Sequence, residues 1–193
     1  MKCDIVLAGV GGQGILTIAT ILGHAAIGEG LFVKQAEVHG MSQRGGDVQA
    51  NLRISDKEIA SDIIPLGNAD LIISLEPMEA LRYLPYLSKE GWIVSNSNPF
   101  INIDNYPSME SVGEIFRNRS NVVFADMDIA AKEVASPRTS NLVLLGAASK
   151  FIPIENEKII EAIRTVFQQK GEAIVEGNIK AFNAGCAIAE KYN

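Results

Sequence analysis

The stretch DIVLAGVGGQGILT, residues 4–17, decides the fold of this chain. An apolar run typical of a buried strand leads directly into Gly9, Gly11 and Gly14, which have the G-x-G-x-x-G spacing of a dinucleotide-binding turn. Apolar residues at helical spacing follow the turn, so we expect a helix that begins near Gly12. The stretch predicts a strand, a glycine turn and a helix. The turn either binds an anion at the helix N-terminus or only lets the helix pack closely on the strand.

The rest of the chain predicts an α/β fold. Helical patterns alternate with five further strand candidates, which are LFVKQAEV, DVQANLRIS, ADLIISLE, GWIVSNS and NVVFADM. The last third is helical and begins with TSNLVLLGAASKF, where Thr139 and Ser140 are candidate helix caps. We therefore expect a single Rossmann-like domain over residues 1–193, with a helical C-terminal third.

The second and third strands depart from the regular dinucleotide-binding pattern. Only about eight irregular residues, HGMSQRGG, separate them, whereas a parallel crossover needs about a dozen or more. We therefore predict that these two strands are antiparallel and that the sheet is mixed. The acidic residue that holds the ribose in a dinucleotide site has only one loose candidate, Glu37, so NAD binding is disfavoured.

The loop between these strands is the second candidate site. Arg44 followed by Gly45 and Gly46 places a forked cation on a loop that can approach a ligand or another chain. The alternative is a surface turn in which the glycines supply positive φ angles. His39 borders this loop, but its sequence neighbourhood offers no Ser, Cys or carboxylate partner for catalysis.

Polar residues at other strand ends are weaker candidates. Glu76 lies at the end of the fourth strand and Asn96 to Asn98 follow the fifth, where open α/β sheets expose ligand-binding side chains. Helix capping or turn formation is the alternative, and it is favoured for Asn98 because a proline follows. We expect Asp126 and Asp128 to cap the segment that follows them.

Composition excludes several classes of function. The net charge of −6, with scattered Lys and Arg, argues against nucleic-acid binding. No run approaches the roughly 20 apolar residues of a membrane span, and the N-terminal residues lack an export pattern, so we expect a cytoplasmic protein. Cys3 and Cys186 are expected to be buried and cannot form an iron-sulfur or structural zinc site. We assign no catalytic residue and no metal site.

Four segments together resemble the gamma-type subunits of 2-oxoacid:ferredoxin oxidoreductases. Within that family, the resemblance is strongest to the beta subunits of indolepyruvate ferredoxin oxidoreductases. The segments are GVGGQGILT (9–17), AEVHGMSQRGGDVQANLRIS (36–55), SPRTSNLVLLGA (136–147) and EGNIKAFNAG (176–185). The second segment is the most specific, since its loop directly follows a strand and has no obvious general use.

The resemblance implies an accessory subunit of an oxidoreductase complex. Such a complex converts an aryl pyruvate, coenzyme A and oxidised ferredoxin into an aryl acetyl-CoA, carbon dioxide and reduced ferredoxin. Thiamine diphosphate and the iron-sulfur clusters are implied on a large partner subunit, and coenzyme A is implied as a ligand that this chain shares. The residues implied in phosphate contact or in the subunit interface are Gly9, Gly11, Gly12, Gln13, Gly14, Arg44, Gly45 and Gly46.

Two other functions remain open at this point. One is a free-standing NAD- or flavin-binding reductase, suggested by the glycine turn alone. The other is a non-enzymatic interaction domain whose glycine turn is purely structural.

Overall fold

The computed structural model describes residues 1–39, without the side chain of His39, and residues 45–192. Arg44 and the side chain of His39 therefore lie outside the described residues. Six strands are described: Lys2–Val10 (β1), Phe32–His39 (β2), Asp47–Ser55 (β3), Ala69–Ser74 (β4), Leu87–Asn96 (β5) and Val122–Ala125 (β6). The α-helices of this part of the chain are Ile15–Gly28 (α1), Pro77–Arg82 (α2), Met109–Arg117 (α3), Met127–Val134 (α4), Ser140–Ser149 (α5), Asn156–Phe167 (α6) and Glu172–Ala189 (α7). Short 3-10 helices at Leu84–Tyr86, Pro137–Thr139 and Gln168–Lys170 join them.

The strands form one mixed sheet in the order β2-β3-β1-β4-β5-β6. Strands β1, β4, β5 and β6 are parallel to one another, and β3 is antiparallel to both of its neighbours. This confirms the predicted α/β fold, and it confirms the antiparallel pairing of β2 with β3 that the short connection required.

Helices cover both faces of the sheet. On one face, α1 and the helices from α4 to α7 pack against alternate residues of the central strands, such as Ile5 and Leu7 of β1. On the other face, α2 and α3 pack against the intervening residues, such as Val6 and Ala8. Burial on both faces explains why the first strand is a continuous apolar run rather than an alternating one.

Helix starts differ from the sequence-based expectation at two places. Helix α1 begins at Ile15 rather than near Gly12, because Gly12 and Gly14 have φ angles of 101° and 85°, outside the helical region. Thr139 and Ser140 do not cap α5, since their hydroxyls donate to the carbonyls of Ser136 and Pro137 in the preceding 3-10 turn.

Helices α5 and α7 cross in direct backbone contact at two glycines. A Cβ atom on Gly146 would lie 1.9 Å from the carbonyl oxygen of Phe182, and one on Gly185 would lie 1.9 Å from that of Val143. Only glycine permits this approach. Within the described ranges, no helix is both long and apolar enough to cross a membrane.

Candidate functional site

The glycine turn lies beside the ends of two neighbouring parallel strands, β1 and β4, whose following helices pack on opposite faces of the sheet. Helix α1 follows β1 on one face, whereas α2 follows the neighbouring β4 on the other. Open α/β sheets bind ligands in the crevice at such a point. Gln13 links the two strand ends there, because its Oε1 accepts from the Val10 amide at 2.7 Å and its Nε2 donates to the Leu75 carbonyl at 3.2 Å.

The N-terminus of α1 faces this crevice without a side-chain cap. Gly14 occupies the capping position, the first turn contains no acidic residue, and no described side chain accepts a hydrogen bond there. The Asn141 Nδ2 donates to the Gly14 carbonyl at 3.2 Å, which fixes α5 beside the turn. Free backbone amides and the positive end of the helix dipole favour an anion at this position.

The second predicted loop lies behind the glycine turn. The Gly11 amide donates to the Gly46 carbonyl at 2.8 Å, and the Gly45 amide donates to the Gly11 carbonyl at 3.4 Å. Gly45 has a φ angle of 77°, as the surface-turn interpretation expects, whereas Gly46 does not have a positive φ angle. The structure thus brings the two predicted glycine segments into contact.

A cleft of about 580 Å³ opens in front of the turn and contains groups that sequence reasoning missed. Arg138 and Lys170 line it, both are exposed, and neither forms an ion pair within residues 1–39 and 45–192. Asn178 also lines it, although only 4% of this residue is exposed, and its amide has no hydrogen-bond partner among the described residues. An amide that lines the cleft can hydrogen-bond to a polar ligand there.

Only part of the predicted site lines this cleft. Gly12, Gln13 and Gly14 do, together with Thr17, Leu75, Asp128, Pro137, Arg138, Ser140, Asn141, Leu142, Phe167, Lys170 and Asn178. Gly9 instead packs inside, where a Cβ atom would lie 3.0 Å from the Gln13 Oε1. Arg138 and Asn178 belong to the two C-terminal motifs, but no spacing in the sequence connects them to the glycine turn. Lys170 had no sequence signal.

Asp128 places a negative charge at one end of the cleft. It does not cap α4, because Asp126 accepts the amides of Asp128 and Ile129. The Asp128 carboxylate instead accepts from the side-chain amides of Asn96 and Asn98. Burial alone would raise the pKa of Asp128, but the hydrogen bonds from the side-chain amides of Asn98 and Asn96 and the charge of Lys132 lower it. The carboxylate therefore stays ionised at neutral pH.

Glu76 is buried and has a structural role. Its Oε2 accepts the Glu79 amide at 2.9 Å and so caps α2, as the capping alternative expects. Its Oε1 accepts from the Tyr106 hydroxyl and, at 3.4 Å, from the Phe100 amide. This carboxylate does not line the cleft at the glycine turn.

The cysteines do not fit an iron-sulfur cluster. Cys3 lies in the core, where burial, followed by the charges of Asp70 and Asp4, raises the pKa of its thiol to about 12. Cys186 is half-buried rather than buried, and it lies on α7, far along the chain from Cys3. Four thiolates hold a typical cluster, and the described part of the chain contains no group of three metal-ligating side chains.

Comparisons with known proteins find relatives that match nearly the whole chain. The family model for pyruvate ferredoxin/flavodoxin oxidoreductase matches residues 4–188. Indolepyruvate oxidoreductase subunit IorB of Pyrococcus horikoshii is 40% identical over 97% of this chain and 96% of its own length. The 2-oxoglutarate synthase subunit KorC of Archaeoglobus fulgidus is 26% identical over 98% of this chain and 89% of its own length.

Solved structures share the fold. The gamma subunit of a keto/oxoacid ferredoxin oxidoreductase from Geobacter sulfurreducens has a TM-score of 0.71 and 26% identity, over 98% of this chain and 99% of that one. A 2-oxoglutarate:ferredoxin oxidoreductase from Magnetococcus marinus, solved with 2-oxoglutarate, coenzyme A and succinyl-CoA bound, has a TM-score of 0.78 and 23% identity. It matches all of this chain with 32% of its own chain. The predicted resemblance is confirmed, and this chain belongs to the pyruvate ferredoxin/flavodoxin oxidoreductase family.

Proposed function

We propose that this chain is the accessory subunit of a thiamine diphosphate-dependent 2-oxoacid:ferredoxin oxidoreductase and that its cleft binds a phosphate of coenzyme A. The observation that carries the proposal is the cleft itself, where an uncapped helix N-terminus, two cations and the side-chain amide of Asn178 converge. The IorB relatives are 35–40% identical and the KorC relatives 26–28%. This difference favours indolepyruvate or another aryl pyruvate as the 2-oxo acid.

The reaction needs groups that the described residues do not provide. Thiamine diphosphate supplies, when bound, the electron sink for decarboxylation, which no ordinary side chain offers. The two cysteines do not fit a cluster. The proposal therefore assigns thiamine diphosphate and the iron-sulfur clusters to a large partner subunit, with ferredoxin acting on the complex. The unpaired cysteines suit a reducing compartment, so we place the complex in the cytoplasm.

The task of this chain is then to hold coenzyme A in place. The residues around the N-terminus of α1, Gly12 to Gly14 and Thr17, line the cleft, and the backbone amides of an uncapped helix N-terminus suit a phosphate oxygen. Arg138 and Lys170 supply positive charge from the α5 and α7 side, and Asn178 supplies an amide donor that lines the cleft. Gly45 and Gly46 stabilise the turn through backbone hydrogen bonds with Gly11. Arg44 precedes this pair in the sequence, and we retain it as a candidate for phosphate contact or for the subunit interface.

The free-standing reductase is not favoured. The antiparallel β3 lies where a dinucleotide-binding fold has a second parallel strand. Glu37, the loose candidate for a ribose ligand, is exposed on the edge strand β2, and its carboxylate accepts from the Gln35 amide.

Coexpression with the large subunit tests the proposal. We expect a stable complex that binds coenzyme A, measured by titration calorimetry, and no 2-oxoacid oxidation by this chain alone. Arg138→Ala and Lys170→Ala should each weaken binding about tenfold, since charge-assisted contacts contribute about 1.5–3 kcal/mol. Arg119→Ala is the control, because this exposed cation lies at the opposite edge of the sheet, before β6. No binding by the wild-type complex, or equal affinities in all variants, would refute the proposal.

A further inference from the structure

We propose that Glu76 is a positioning residue that fixes the glycine turn from a distance, through a strap formed by residues 97–107. The inference rests on the proposed function, because it concerns the geometry of the same coenzyme A cleft. Glu76 itself touches no ligand. It acts through its hydrogen bonds to the strap. The strap in turn hydrogen-bonds to Gly45, and Gly45 hydrogen-bonds to Gly11.

The first link joins Glu76 to the strap at two points. The carboxylate is 2% exposed and uses both oxygens, one for the cap of α2 and the other for Tyr106 and Phe100. These two contacts bracket the middle of the strap. Burial, followed by hydrogen bonding to Glu76, raises the pKa of Tyr106, so its phenol keeps the proton that it donates.

The second link joins the strap to the glycine loops. The Asn102 Nδ2 donates to the Gly45 carbonyl at 2.7 Å, from a position between the two anchored residues. Gly45 and Gly46 exchange backbone hydrogen bonds with Gly11. A continuous set of hydrogen bonds therefore leads from Glu76 to the turn whose front residues, Gly12 to Gly14, line the cleft.

Three carboxylates line the space under the strap, and the buried one, Glu76, needs hydrogen-bond donors. A pocket of about 250 Å³ lies there, and Asp47, Glu76 and Glu79 line it together with Arg82. Arg82 pairs with Glu79 at 2.8 Å, so the Glu76 carboxylate relies on the donors of the strap and of α2. Loss of the strap contacts would leave a buried carboxylate with fewer partners, which favours the docked strap.

Two variants remove single links while leaving the carboxylate in place. Tyr106→Phe removes one anchor, and Asn102→Ala removes the contact with Gly45. Tyr86→Phe is the matched control, since the Tyr86 ring also packs on the α2 and α3 side and its hydroxyl has no side-chain partner among the described residues. We expect both strap variants to lower the hydrogen-exchange protection of the Gly11 amide about tenfold, measured by NMR on the full chain. The control and the Leu7 amide in β1 should not change.

The complex with the large subunit supplies the functional readout. In Asn102→Ala and Tyr106→Phe, the KM for coenzyme A should rise about fivefold, while kcat and the KM for the 2-oxo acid stay unchanged. Unchanged protection of Gly11, or a loosened Gly11 with an unchanged KM for coenzyme A, would overturn the inference. Failure of the wild-type complex to bind coenzyme A would instead overturn the proposed function, and it would be seen before any variant is compared.

Discussion

Replacement of Gly185 by alanine is expected to destabilise the protein, although alanine usually stabilises a helix relative to glycine. The new Cβ atom would lie 1.9 Å from the Val143 carbonyl oxygen and 2.7 Å from the Ala147 amide nitrogen. Both are backbone atoms of α5, so no side-chain rotation relieves the clash. Ordinary contact requires about 3.4 Å, and helices α5 and α7 would therefore have to separate by about 1.5 Å.

The size of the effect follows from two opposing contributions. Overpacking of a dense core costs about 1–3 kcal/mol, and a clash between two backbones belongs at the top of that range. The alanine recovers about 1 kcal/mol of helix propensity. We therefore expect Gly185→Ala to lower the free energy of unfolding by about 2 kcal/mol.

Gly177→Ala is the matched control, because it makes the same change in the same helix. A Cβ atom there meets only the Cβ atom of Ala135, at 3.8 Å, which is ordinary contact. This variant should gain about 1 kcal/mol of stability. Urea denaturation of both variants and the wild type measures the difference. Equal shifts for Gly177→Ala and Gly185→Ala would refute the reasoning about the helix crossing.

Two further predictions concern Cys3 and the glycine turn. The folded-state pKa of the Cys3 thiol, about 12, lies above its usual 9.0, so the associated stability is present below pH 9 and is lost as the pH rises toward 12. By pH 10 the loss should reach about 1 kcal/mol, and Cys3→Ala should abolish this part of the pH dependence of urea unfolding; an unchanged dependence would contradict it. Gly14→Ala should cost more than the roughly 1–2 kcal/mol of a left-handed alanine, because its Cβ atom would lie 2.8 Å from the Asn141 amide. Gly30→Ala, at a φ angle of 73° in open space, isolates the backbone cost, and an equal loss in both variants would count against the Asn141 contact.

The sequence predicted those features that depend on local chain geometry. The short connection between β2 and β3 left room only for antiparallel pairing, and the structure has it. Val48, Ala50, Leu52 and Ile54 alternate along DVQANLRIS, a pattern typical of a strand with one buried face, and all four are buried. Such constraints act within a few residues, so a single sequence carries them.

The composition of the cleft could not be predicted in the same way. Arg138 comes from the 3-10 helix that leads into α5, Lys170 from the one that leads into α7, and Asn178 from α7 itself. The crossing of α5 with α7 at Gly146 and Gly185 brings these segments together. A glycine in a helix does not reveal which helix it contacts. The failure of Asp128 to cap α4 has a similar cause, because the side-chain amides that donate to Asp128 lie about 30 residues away in the sequence.

The mixed sheet explains how a glycine turn can serve a ligand other than a dinucleotide. In a regular dinucleotide-binding fold, the strand after the first helix is parallel to β1 and ends beside the turn with an acidic ribose ligand. Here β3 is inserted between β1 and β2, so the connection between β2 and β3 returns at the same edge of the sheet as the turn. Its glycines bond directly to Gly11 and take up the space on that side. The turn then remains open toward α5 and α7, where Arg138 and Lys170 line the cleft, and the proposed anionic ligand would enter from there.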